Sequence, residues 1–93
     1  MAKSIMQTDK ICWVCGRPSN LHKHHIYGGA NRKHSEKHGF TVYLCGNHHN
    51  LSNEGVHFNK HLDTELKQAC QRRFERTHTR DEFMQIIGKN YLD

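Results

Sequence analysis

Two pairs of residues carry zinc-ligand spacing: Cys12-x-x-Cys15 near the start of the chain and Cys45-x-x-His48 at its middle. Zn²⁺ takes four soft or borderline ligands in a tetrahedron, and two such knuckles a hairpin's length apart supply them. The competing chemistry for Cys-x-x-Cys is a thioredoxin-like redox pair, which needs a βαβ context that this chain lacks. His22 and His49 are alternatives to His48 as the fourth ligand. Cys70 lies on an apolar helical stripe and reads as a small buried hydrophobe.

A second constellation is made of histidines. His24-His25 fall on a short strand, His49 follows the last zinc ligand, and His57 stands at the entry to a long helix. Closing the zinc site joins the start of the first strand to the end of the second, which is expected to aim His24, His25 and His49 into one cleft. Phosphodiester hydrolysis needs a nucleophilic water, stabilisation of charge at phosphorus and help for the leaving oxygen. A divalent metal supplies the last two, and a neutral imidazole can supply the first by taking a proton. Neighbouring residues on a strand face opposite ways, so one histidine of the pair can bind metal while the other acts as base. His22, His34, His38 and His78 read most simply as solvated surface residues.

The elements that must position these groups follow from period and punctuation. Residues 1–10 show no periodicity and are expected to be a loose lead-in. Residues 21–27 read as a strand, residues 28–39 as a polar loop bounded by glycines, and residues 40–44, β-branched and aromatic, as a second strand. Cys45 to Asn50 open a short helix or turn that Gly55 interrupts. From about Phe58 the period is helical, with Leu62, Leu66, Ala69, Cys70 and Phe74 on one stripe. Off that stripe lie Lys60, Lys67, Arg72, Arg73 and Arg76. A last short helix is expected over residues 81–87, capped by Thr79 with Glu82 at the capping-box distance.

Ninety-three residues, 34% of them hydrophobic, make one domain with a thin core that calls for a staple. The net charge of +5 favours a polyanionic partner. No apolar run approaches membrane-spanning length and the first residues lack a signal-peptide core, so the expected location is the cytoplasm. Arg32 and Lys33 would grip backbone phosphates beside the cleft, and Lys60, Arg72, Arg73 and Arg76 could extend a basic track. Nothing reads base edges, so low sequence specificity is expected.

In this order, Cys12-x-x-Cys15, His24-His25-Ile26, Leu44-Cys45-x-x-His48-His49 and Gly55-Val56-His57 resemble the ββα-metal fold of HNH endonucleases. They are most similar to the zinc-stapled versions common in phages and prophages, over residues 11–58. The resemblance implies an α+β fold: a small zinc-stapled ββα-metal (HNH, His-Me finger) module followed by C-terminal helices. It implies one domain over residues 1–93, with the core at 11–58 and a helical extension at 59–93. His25 matches the general base, while His24, His49 and His57 match the ligands of a catalytic Mg²⁺, Mn²⁺, Ni²⁺ or Zn²⁺. The family's usual spacing would put the last ligand at Asn53, and His61 is a further candidate. Asn31, or else Asn47, matches the asparagine that pins the inter-strand loop. The implied activity is metal-dependent DNA cleavage of low sequence specificity, leaving 5′-phosphate and 3′-hydroxyl ends. The implied partners are DNA, a second copy through the helical half, and phage or host recombination proteins. The alternative is a non-catalytic zinc module that binds nucleic acid, as a phage recombination or packaging accessory.

Overall fold

The computed structural model describes residues 3–49 and 59–92. Two strands, β1 (Leu21–His25) and β2 (Thr41–Cys45), pair antiparallel in the register Leu21↔Cys45 through His25↔Thr41. β2 carries the β-branched and aromatic residues expected of a strand, whereas β1 is Leu-His-Lys-His-His and is held by its pairing with β2. After β2 come α2 (Gly46–His49), α3 (Lys60–Phe74) and α4 (Arg80–Ile87), preceded between the strands by α1 (Arg32–His38). The architecture is a small α+β fold. Among the described residues no helix is long and apolar enough to cross a membrane.

The segment between the strands corrects the expected polar loop. A 3-10 turn at Gly29–Asn31 leads into α1, which stops at Gly39 in the left-handed region (φ 76). Charged and long side chains over this stretch tolerate a helix well, but no apolar stripe announces it, because its one fully buried residue is Ser35. That hydroxyl donates to the Tyr27 carbonyl at 2.7 Å and accepts from the Tyr27 amide at 3.1 Å. A polar clasp therefore docks α1 where an apolar face would otherwise be needed.

From Ile5 onward the lead-in is held against the sheet. The Ile5 amide donates to the Gly39 carbonyl at 2.9 Å, the Gln7 side chain accepts from the Tyr43 amide at 2.7 Å, and Met6 is buried. These contacts and the Trp13 amide on the Tyr43 carbonyl, at 2.8 Å, cover the outer edge of β2. An exposed strand edge is a liability that such a cover removes.

The core gathers both halves of the chain. Tyr27 meets Phe40 and Phe83 edge-on with ring centroids 5.5 Å apart, and Phe40 meets Phe74 in the same way. Leu66, Cys70 and Phe74 of α3 are buried, as the helical stripe requires. The capping box of Thr79 and Glu82 starts α4 one residue earlier than the sequence suggests. Gln71, fully buried, ties down the C-terminal tail by donating to Asn90 at 2.8 Å and accepting from the Tyr91 amide at 2.8 Å.

Candidate metal centre and the histidine groove

The first knuckle is a tight turn. The Gly16 amide donates to the Cys12 carbonyl and the Cys12 amide to the Arg17 carbonyl, both at 2.9 Å, with Gly16 in the left-handed region that glycine adopts without strain. The second knuckle is the junction of β2 with α2, which turns His48 back toward Cys45. The Gly46 amide, bonded to the Asn20 carbonyl at 3.1 Å, ties the second knuckle to the residue that precedes β1.

The ligand atoms of Cys12, Cys15, Cys45 and His48 all lie within 4.8 Å of one another. Cys15 Sγ is 3.7 Å from Cys45 Sγ, and His48 Nδ1 is 3.2 Å from Cys45 Sγ and 3.8 Å from Cys12 Sγ. With metal–ligand bonds of 2.0–2.3 Å, the edges of a zinc tetrahedron are roughly 3.3–3.8 Å. The cluster is close enough to hold one metal ion, and three thiols with one imidazole are consistent with a structural zinc. Burial acts to raise the Cys12 thiol, but the amides of Cys45, Cys15 and Val14 outweigh it and lower it to about 6. Those amides favour the thiolate that binds metal.

Past the zinc cluster, β1 sorts its histidines by face. His24, buried, lies toward α2, where its ring centroid is 5.5 Å from that of His49. His22, two positions earlier on the same face, has Nδ1 2.9 Å from His49 Nδ1. Thus the structure does not aim His24, His25 and His49 into one cleft: strand alternation parts them, with His25 on the face of Lys23. His48, and neither His22 nor His49, completes the cluster with the three cysteines.

His25 Nε2 is 2.7 Å from Glu36 Oε2, and Lys23 Nζ reaches the same carboxylate at 3.0 Å. Hydrogen bonds from Lys23 and then from His25 hold Glu36 below the usual carboxylate range. These three residues, with Gly29, Ala30, Arg32 and Lys33, line an open groove of about 760 Å³. Arg32 and Lys33 thus line the same groove as His25.

In comparisons with protein-family models, curated proteins and solved structures, nothing matches this chain.

Asn31 joins the inter-strand segment to the end of α4: its Nδ2 donates to the Ile87 carbonyl at 3.0 Å. His57 and Asn53 lie outside the described residues. His61 is 84% exposed on α3 and pairs with Glu65 at 2.9 Å, so the structure gives it no place beside His24 or His49. The surface reading fits His78, which is exposed although its ring stacks on Phe74, but needs correction at His22, half-buried against His49, and at His38, half-buried and stacked on Phe40.

Sequence reasoning missed Glu36 and His22. The signal for Glu36 was the run of helix formers ending at Gly39, which would have turned its side chain back over β1. For His22 it was the period of two that puts it on the face of His24.

Proposed function

We propose that this chain is a metal-dependent DNA endonuclease of the HNH type, a zinc-stapled ββα-metal module followed by helices. The observation that carries the reading is the groove in which His25, a proton acceptor, is flanked by the cations of Arg32 and Lys33. Arg32 and Lys33 hold backbone phosphates and so set the scissile bond against the floor of the groove. Glu36 accepts a hydrogen bond from His25 Nε2–H, which leaves Nδ1 as the basic nitrogen. His25 Nδ1 then takes the proton of the attacking water.

The residues that would hold a divalent cation are His24 and His49, with His57 as the third ligand. The imidazoles of His24 and His49 lie with ring centroids 5.5 Å apart and suit a borderline cation. A cation held there would supply Lewis-acid stabilisation of negative charge on phosphoryl oxygens, and since His24 and His25 face opposite ways it would share a phosphate with His25 only around the end of β1. His22, hydrogen-bonded to His49, orients that ring.

One observation favours the non-catalytic zinc module instead: a histidine paired with a glutamate, as His25 is with Glu36, also serves purely to hold two elements together. His25→Ala separates the readings in a plasmid-nicking assay across a divalent-metal series. The enzyme loses about 10²–10⁴ in rate while zinc content and DNA affinity stay near wild type. Excess metal does not rescue it, whereas it partly rescues His49→Ala. Cleavage by His25→Ala at the wild-type rate would remove His25 from the chemistry. Absence of nicking by the wild type with every metal tried would leave the binding module.

A further inference from the structure

The end of α3 gathers side chains used by neither the zinc cluster nor the groove of His25. Arg73, Phe74, Arg76 and His78, with Ile5 and His38 opposite, line most of a second cavity of about 330 Å³. The imidazole of His78 lies flat on the Phe74 ring, centroids 4.2 Å apart and planes 9° from parallel. Thr77 Oγ1, 2.8 Å from His78 Nδ1, fixes the rotation of that imidazole. Phe74 is itself wedged against Phe40 and Phe83 in the core. The result is a flat ring surface anchored from below, and His78 remains exposed.

Charge around this shelf is one-sided. Its lining holds two guanidinium groups and two imidazoles and no carboxylate. Among the described residues no carboxylate pairs with Arg73 or Arg76. Burial, with the charges of Lys37, His34 and His78, keeps His38 below the ordinary histidine range, as expected where cations crowd.

An inorganic anion would satisfy the arginines but leave the flat ring unused, and an apolar ligand would leave the arginines unused. A planar base joined to a phosphate satisfies both, and its size suits a cavity near the small end of ligand sites, about 300 Å³. We infer that this cavity binds an unpaired nucleotide of a nucleic-acid strand, the base stacked on His78 and the phosphate held by Arg73 and Arg76. Stacking platforms beside cations are the general means of holding single strands. The inference is independent of cleavage, and would hold equally for a binding module.

The test titrates the zinc-loaded full chain with a fluorescein-labelled oligothymidylate of about eight nucleotides, read by anisotropy. Arg73→Gln combined with Arg76→Gln should weaken binding at least about tenfold. His78→Ala should weaken it about 5- to 150-fold, the usual loss of one base–aromatic stack. Far-UV CD and zinc content should be unchanged in both. On the wild type, ring resonances of His38 and His78 should shift on adding the oligonucleotide while those of exposed His61 stay. If the variants do not fold, these wild-type resonances decide alone. Unchanged affinity in both folded variants, or binding that leaves the His38 and His78 signals in place, overturns the inference. So does a blunt duplex that shifts the same signals with equal affinity, or inorganic phosphate that binds as tightly as the oligonucleotide.

Discussion

A neutral imidazole carries a proton on one nitrogen and a lone pair on the other, so its usefulness as a base depends on which nitrogen a neighbour engages. At His25 the neighbour is Glu36, 2.7 Å from Nε2 and itself held by Lys23. Replacing Glu36 by Gln keeps an acceptor of similar shape but removes the charge that fixes the tautomer. On the proposal that His25 is the base of a DNA endonuclease, the expected result is a fall in kcat of about 10–100-fold, the usual effect of losing a carboxylate that orients an imidazole, with KM for plasmid DNA little changed. A raised KM with intact kcat would mean that Glu36 acts only through the charge of the groove. The contrast between Glu36 and the cysteines shows which residues can be read in advance. Cys12, Cys15, Cys45 and His48 signal themselves by local spacing, and they do meet. Glu36 and His22 acquire their partners only through tertiary structure: one requires α1 to be a helix, the other requires α2 to bring His49 across the face of β1.

At the level of elements, legibility follows from where the stabilising contacts lie. The last helix was readable because its signals are local: Thr79 accepts from the Glu82 amide at 3.1 Å, and Gly88 ends the helix in the left-handed region. Helix α1 was not, because its anchors are the buried Ser35 clasp and the stop at Gly39. A Cβ at Gly39 would run into the carbonyl of Lys3, at a φ of 76 that L-residues avoid. Two substitutions measure the difference in denaturant titrations. Thr79→Ala should cost about 1 kcal/mol, a typical cap loss. Gly39→Ala should cost more, since left-handed strain of roughly 1–2 kcal/mol adds to displacement of the strap formed by Ile5, Met6 and Gln7. Equal losses, or a larger one for Thr79→Ala, would mean that the strap is not held as described.

For the molecule as a whole, the question is what a chain of this size folds around. The buried residues of the sheet and of α3 and α4 form one cluster, which includes Cys12 and Cys45 beside Leu44, Phe40, Phe74 and Phe83. Two of the four candidate metal ligands are thus also core residues, and the knuckles cannot open without exposing apolar surface shared with the helices. A structural zinc contributes roughly 10–16 kcal/mol of apparent folding energy, against a net stability for small domains of about 5–15 kcal/mol. Withdrawal of the metal should therefore unfold both halves together. The chain offers its own reporter, since Trp13 is its one tryptophan, sits between the first two ligands and packs against the core. Titration with a strong chelator should release one zinc per chain, and Trp13 emission and the helical far-UV CD should be lost in a single coincident step. Added zinc should restore both. Cys12→Ser should give the same unfolded spectrum without chelator. A zinc-free chain that keeps its helical signal and thermal transition, or a Trp13 change that precedes loss of helix, would show that α3 and α4 stand without the staple.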